Sequence, residues 1–167
     1  STKGAMMWLP RRESPFAPRI WDPVRGRANS VAKDLTSAQT TDPVGSGLTS
    51  FNTDGFSVGP ASSTAPNLNT ASYVSWTFRK QPKFFDVLTY TGDGTNGRTV
   101  AHNLGSAPDC IIIKRTSATG PWYTWHRSLT ADKVVYLNTT AAQADPPYGA
   151  GSWISSDSTT VTFPNAS

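Results

Sequence analysis

The sequence predicts an all-β protein made of two tandem β-sandwich units. Three observations carry that expectation. Helical periodicity is nearly absent, short apolar or alternating runs recur between turn residues, and the order of those runs repeats along the chain. Alternation places side chains on opposite faces of a strand, so such runs read as strands of half-buried sheets.

In the first half, Met6 to Leu9, Ile20-Trp21 and Phe56 to Val58 are the strand candidates. Val31 to Thr40 is the one mildly helical stretch and lacks an apolar stripe. Tyr73 to Phe78 alternates cleanly, with Val74, Trp76 and Phe78 on one face. Phe84 to Tyr90 reads as an aromatic strand ended by Thr91-Gly92-Asp93-Gly94. Ile111, Ile112 and Ile113 are β-branched and predict a strand buried on both faces. Trp122 to His126, Lys133 to Leu137 and Thr159 to Phe163 complete the second half.

The repeat is the strongest organisational signal. An offset of 104 carries Leu9 onto Ile113 and Trp21 onto Trp125. The register then slips: Leu35 falls on Leu137 and Phe51 on Trp153 at 102, and Phe56 on Val161 at 105. The expected organisation is a first unit over 1–78, a linker over 79–83 and a second unit over 84–167. Ser1 to Gly4 run straight into Ala5 to Leu9, which predicts a chain entered in mid-domain. Each unit is then incomplete at a chain end, the first lacking an opening strand and the second a closing one. Missing strands leave exposed edges that other chains or further repeats would fill.

Composition narrows the function classes. The apolar share is 37%, charged residues are 16%, and six Trp supply a modest core, so the chain is not of disordered type. The formal charge is +4, and basic residues cluster at Arg11/Arg12 with Arg19, at Arg25/Arg27 and at Arg79/Lys80/Lys83. A nucleic-acid binder gathers charge into a stripe with stacking aromatics. These clusters read instead as solvated surface, and no nucleic-acid partner is expected. No apolar stretch approaches the roughly 20 residues that cross a bilayer as a helix, so no membrane partner is expected. Cys110 is the single cysteine. It opens an apolar run and is expected to be a small buried hydrophobe.

Little in the chain has the spacing of catalysis. Gly92 to Gly97 formally matches G-x-G-x-x-G, but no helix pattern follows to hold a pyrophosphate, so a loop with left-handed glycines is expected. Asp93 and Asn96 are too few oxygen donors for Ca²⁺, and turn chemistry is expected there and at Asp42-Pro43 and Asp54-Gly55. His102 and His126 have no Cys, His or Asp at ligand spacing, and packing or hydrogen bonding accounts for both. No G-x-S-x-G elbow occurs. Glu13 is the only glutamate, which leaves little material for the paired carboxylates of a glycan-cutting depolymerase. No enzyme activity, cofactor or metal site is expected.

The densest aromatic run is Trp122, Tyr123 and Trp125. Alternation is expected to bury Tyr123 or the two tryptophans but not all three. The run is then half core and half subunit interface, or a platform on which a glycan ring stacks. Asn138-Thr139-Thr140 is a glycosylation sequon of a kind common by chance.

Several phrases resemble a known repeat family. They are Phe84 to Arg98, His102 to Pro108, Ile111 to Arg115, Trp125 to Leu129 and Leu137 to Thr139 in the second half. In the first half they are Asp22 to Gly26, Ser50 to Phe56 and Ser72 to Trp76. Together these resemble tandem β-domains of tailed-bacteriophage structural proteins, described as tail-fibre or concanavalin A-like, lectin-type jelly-roll modules, which implies a jelly-roll-like form for both sandwich units. The resemblance implies a virion location and a role in host-surface adhesion or fibre architecture, with a decoration or adaptor protein as the alternative. Implied partners are further copies of the chain in a homo-oligomer, other virion proteins and a host surface glycan. No binding residue carries over. Pro10, Pro15 and Pro18 depart from the family pattern and fit edges or loops.

Overall fold

The computed structural model describes residues 5–13, 16–60, 66–130, 133–146 and 154–163. The fold is all-β, and the chain divides into two compact units, 1–80 with 115–120 and 81–114 with 121–167.

In the first unit a five-stranded antiparallel sheet runs in the order β4-β3-β2-β1-β7. Its strands are β1 (Ala5–Leu9), β2 (Arg19–Trp21), β3 (Asn29–Ala32), β4 (Thr40–Thr41) and β7 (Trp76–Arg79). A hairpin of β5 (Leu48–Phe51) and β6 (Phe56–Val58) forms the opposing layer. Alternation turns Met7, Leu9 and Trp21 inward, where they meet Leu48, Phe51, Phe56 and Val58. Pro10 follows β1 and Pro18 precedes β2, so neither interrupts a ladder. Pro15 lies outside the described residues.

The second unit repeats the plan. One sheet is β11-β10-β9, from β9 (Cys110–Lys114), β10 (Trp122–His126) and β11 (Val135–Tyr136). The other is β12-β13-β8, from β12 (Ser155–Ser156), β13 (Thr160–Phe163) and β8 (Arg98–Ala101). Val134, Ile154 and Val161 form the centre, with Ile111, Ile113, Tyr123, Trp125, Tyr136 and Phe163 packed on it.

Strand pairing makes the repeat explicit. Met7 pairs with Trp21 as Ile111 pairs with Trp125, and Leu9 with Arg19 as Ile113 with Tyr123. Arg19 pairs with Ala32 as Tyr123 pairs with Tyr136, so the offset of 104 persists through the third strand. In the other layer Ser50 pairs with Ser57 as Ser155 pairs with Thr162, an offset of 105. Phe51 therefore corresponds to Ser156 and not, as expected, to Trp153, which lies outside the described residues. The hairpin ladder, not the aromatic likeness, sets that register.

Several expectations are corrected. Phe84 to Tyr90 is not a strand. Gln81 and Phe85 bridge across a tight turn with Lys83 at φ 59°, and the chain stays irregular to β8. Val31 starts no helix but belongs to β3. The strand after Tyr73 is confined to β7, with Tyr73 itself bridged to Arg11. Ile112 is 52% exposed, so β9 buries one face only, and Cys110 at its start is exposed. Both follow from the position of β9 at a sheet edge. Arg25 is not solvated: it forms an ion pair with Asp22 in which both side chains are nearly buried.

Residues at equivalent places need not be equivalent chemically. Thr124 takes the place of Ile20, and its buried hydroxyl has no hydrogen-bond partner among the described residues. A buried polar atom without a partner keeps its desolvation cost. Thr124→Val is therefore expected to raise stability by about 1 kcal/mol. The reading is a higher urea midpoint at an unchanged slope.

Candidate interaction surface

The polar side chains that sequence reasoning weighed as catalytic or ligating are spent on turns. Asp22 accepts the backbone N–H groups of Val24 (3.0 Å) and Arg25 (2.9 Å) through Oδ1, and its other oxygen takes the Arg25 guanidinium. Arg25 also donates to the carbonyl of Ile20 at 3.1 Å. His126 stands at the matching place in the second unit, and its Nδ1 accepts the N–H of Ser128 at 3.1 Å. Both side chains thus close the same turn after the second strand.

His102 repeats the device. Its Nδ1 accepts the N–H of Leu104 at 3.2 Å, which leaves Nε2 to donate to the carbonyl of Asp157, also at 3.2 Å. A ring committed at both nitrogens and buried is poorly placed to shuttle protons or bind metal. Among the described residues no group of three or more His, Cys, Asp or Glu is arranged to hold a metal ion.

The carboxylates are likewise engaged, in buried contacts or in turns. Asp42 is buried and accepts the indole N–H of Trp21 at 3.0 Å, a role its turn dipeptide did not reveal. In the loop Gly92 to Gly97, Asp93 accepts the N–H of Thr95 at 3.0 Å and pairs with Arg98. Gly94 and Gly97 take positive φ of 74° and 78°, as the loop reading requires. Asp157 accepts the N–H groups of Thr159 and Thr160 at 2.6 and 2.7 Å and both threonine hydroxyls.

These donors shift acidities in one direction. The N–H groups of Thr159 and Thr160 hold the Asp157 carboxyl far below the usual range. Hydrogen bonds from Thr95, with Arg98 adding, lower Asp93, and hydrogen bonds from Ser72, with Arg11 adding, lower Glu13. A carboxyl whose folded pKa is depressed contributes stability above its unfolded pKa and loses it as pH falls through the folded value. The urea midpoint is therefore expected to hold steady from pH 7 to 5. It should fall below the ordinary aspartate value of 3.8, with a shallower fall in Asp157→Asn.

The aromatic run on β10 is drawn inward. Tyr123 and Trp125 share the core face, because side chains two apart point the same way, and Trp122 is buried on the other face. All three are therefore wholly or partly buried, contrary to the expected division. Trp122 donates its backbone N–H to the side-chain oxygen of Asn138 at 3.0 Å, which ties the sequon to β10.

Exposed apolar surface lies elsewhere. On the outer face of the first unit Trp8 meets Trp76 edge-on at 4.5 Å, and the Lys33 ammonium sits 5.8 Å from the Trp8 ring. Trp76 stays 46% exposed. A cavity of about 150 Å³ in the same unit is lined by Leu9, Phe56, Val58, Pro66, Tyr73 and Val74. In the second unit Phe84, Leu88 and Tyr90 are exposed ahead of β8, and Ile112 is exposed on the outer strand β9. Sequence reasoning missed these positions because exposure depends on which strand ends up at the edge.

Comparison with known proteins gives one match. The whole chain, residues 1–167, matches DUF7483, a domain of unknown function. The chain belongs to that family. No curated protein and no solved structure matches it. The family description carries no activity, so any functional reading of this DUF7483 chain rests on its own residues.

Proposed function

We propose that this DUF7483 chain is a non-catalytic structural module of a tailed-bacteriophage virion, part of a tail fibre. Its role is fibre architecture or adhesion to the host surface. The observation that carries the reading is the tandem repetition of one sandwich with its pairing register kept. Repetition of a scaffold multiplies surface and length without building a catalytic pocket. The placement of Asp22, Asp42, Asp93, Asp157, His102 and His126 agrees with it, because each polar group is committed to a turn or a buried contact. The resemblance of several phrases to tail-fibre modules supports the virion context.

Gold-labelled antibodies against the chain, imaged on intact particles of the phage that encodes it, test the location. Label along the tail fibres is expected; label confined to the host cell or to the capsid interior would overturn the reading. Adsorption of the purified chain to susceptible cells separates adhesion from architecture. Release of reducing sugar from host surface glycan would overturn the non-catalytic assignment.

A further inference from the structure

The loop that enters β8 holds the only Asn-Gly pair in the sequence, Asn96-Gly97. Asn96 is exposed, and both residues lie in the turn just before β8 begins at Arg98. Glycine at the second place matters chemically, because no Cβ shields its backbone nitrogen from the side chain before it. Such a nitrogen can attack the asparagine amide carbon. Here that nitrogen is already engaged: the Gly97 N–H donates to the carbonyl of Phe163 at 3.1 Å. This rung lies just beyond the Arg98–Phe163 pair that ends the ladder of β8 with β13. The Tyr90 ring stacks on Phe163, with centroids 5.2 Å apart and planes inclined by 18°.

We infer that Asn96 is a modification site, deamidated spontaneously through attack by the Gly97 nitrogen, and that the rung to Phe163 sets the rate. The Gly97 nitrogen gives up its proton to solvent and bonds to Cγ of Asn96. The Cγ–Nδ2 bond breaks, Nδ2 leaves as ammonia, and a cyclic succinimide remains. Water then opens the ring. Attack at Cγ leaves aspartate, and attack at the main-chain carbonyl leaves isoaspartate, with the backbone rerouted through Cγ. The net change consumes the amide and a water and yields a carboxylate and an ammonium ion.

The gate follows from that chemistry. A succinimide nitrogen carries no hydrogen, so the ring cannot close while the Gly97 N–H donates to Phe163. Reaction therefore proceeds from the fraction of molecules in which the end of β8 has come away from β13. The stack of Tyr90 on Phe163 favours the closed state. Isoaspartate adds an atom to the backbone immediately before Gly97, which displaces its nitrogen from the Phe163 carbonyl. Either product also places a carboxylate in the loop that carries the Asp93–Arg98 ion pair. The site thus turns opening of this sheet into a permanent covalent mark. The inference concerns the second unit alone and holds whichever particle carries the chain.

Peptide mapping by mass spectrometry, with ammonia release measured alongside, tests the site and the gate on the intact chain. The reference probe is the synthetic peptide of residues 91–99, Thr-Gly-Asp-Gly-Thr-Asn-Gly-Arg-Thr, which has no partner strand. At neutral pH the peptide and the urea-unfolded chain are expected to convert Asn96 at matching rates. The folded chain should do so at least about tenfold more slowly. Asn69 is exposed but followed by Thr70, whose branched Cβ shields the nitrogen, so it should stay intact over the same time. Asp93-Gly94 can close a similar ring but expels water, so it contributes no ammonia. Asn96→Gln should remove the signal.

Two perturbations open the rung in the folded chain. Tyr90→Ala removes the stack, and urea below the unfolding transition loosens the parent. Each is expected to raise Gly97 amide hydrogen exchange and Asn96 conversion by the same factor, about three- to tenfold for Tyr90→Ala. Circular dichroism of the variant should match the parent. A folded chain that converts as fast as the peptide would overturn the gate, and an Asn96 that stays intact in the unfolded chain would overturn the site. Faster Gly97 exchange with unchanged conversion would overturn the coupling between them.

Discussion

Trp21→Ala is expected to unfold the first unit. Trp21 is fully buried at the centre of Met7, Leu9 and Leu48, and its indole N–H donates to Asp42 at 3.0 Å. Truncating a buried tryptophan costs about 3–5 kcal/mol through lost transfer energy and the cavity left behind. Removing the donor also takes a partner from a buried carboxylate, which adds to the cost. Small units hold little stability in reserve, so a loss of that size is a large part of the total. The check is amide hydrogen exchange: protection in β1, β2 and β3 should collapse. Trp21→Phe keeps an aromatic ring in the core but loses the donor and part of the indole volume, so it should fall between parent and alanine variant. A Trp21→Ala chain with its urea midpoint unchanged would show that the core is not organised around this ring.

The second large effect is expected at Gly59, where the constraint is steric. A Cβ at Gly59 would lie 1.9 Å from the carbonyl oxygen of Gly45 and 2.8 Å from its carbon. Those atoms are backbone and cannot swing aside. The close approach is built by Gly45 and Gly47, both at positive φ, and by the bond from the Gly59 N–H to the carbonyl of Gly47 at 2.9 Å. Gly59→Ala must therefore displace the loop that follows Asp42, with a cost on the order of 3 kcal/mol. Gly55→Ala is the control: no atom lies within 4 Å of its Cβ position, and a change within about 0.5 kcal/mol is expected. Urea unfolding of the two variants side by side makes the comparison. Equal midpoints would mean that the loop yields freely.

Much of the framework was legible because it depends on local pattern. The alternation that puts Met7 and Leu9 on one face, and Ile111 and Ile113 on the corresponding one, is visible in the chain and survives in both cores. The offset of 104 was readable from Leu9 against Ile113 and Trp21 against Trp125, and strand pairing keeps it. Turn glycines were legible too, since positive φ at Gly94 and Gly97 is a local demand.

The failures have a common physical cause. Phe84 to Tyr90 has the composition of a strand, but among the described residues no strand pairs with it. Propensity records how a residue fits a half-buried sheet, not whether a sheet is present. Phe51 was set against Trp153 by ring likeness, whereas hydrogen-bond register places Ser156 there. The weak strands β4, β8 and β12 escaped notice because threonine, serine and alanine carry little apolar signal. Asp42 looked like a turn residue and is also the acceptor for Trp21, a contact between residues 21 apart in sequence.

By itself, then, the sequence determined the all-β class, the tandem repetition and the inward face of the principal strands. Those features rest on the two-residue period of a strand and on the order of apolar anchors, both of which are properties of the chain read in line. Only the tertiary structure decided which strand stands at an edge, and so whether Ile112 and Cys110 face solvent. It also decided that Trp122, Tyr123 and Trp125 are drawn inward. Exposure and pairing belong to the assembled sheets, because a strand's second neighbour is chosen by distant parts of the chain.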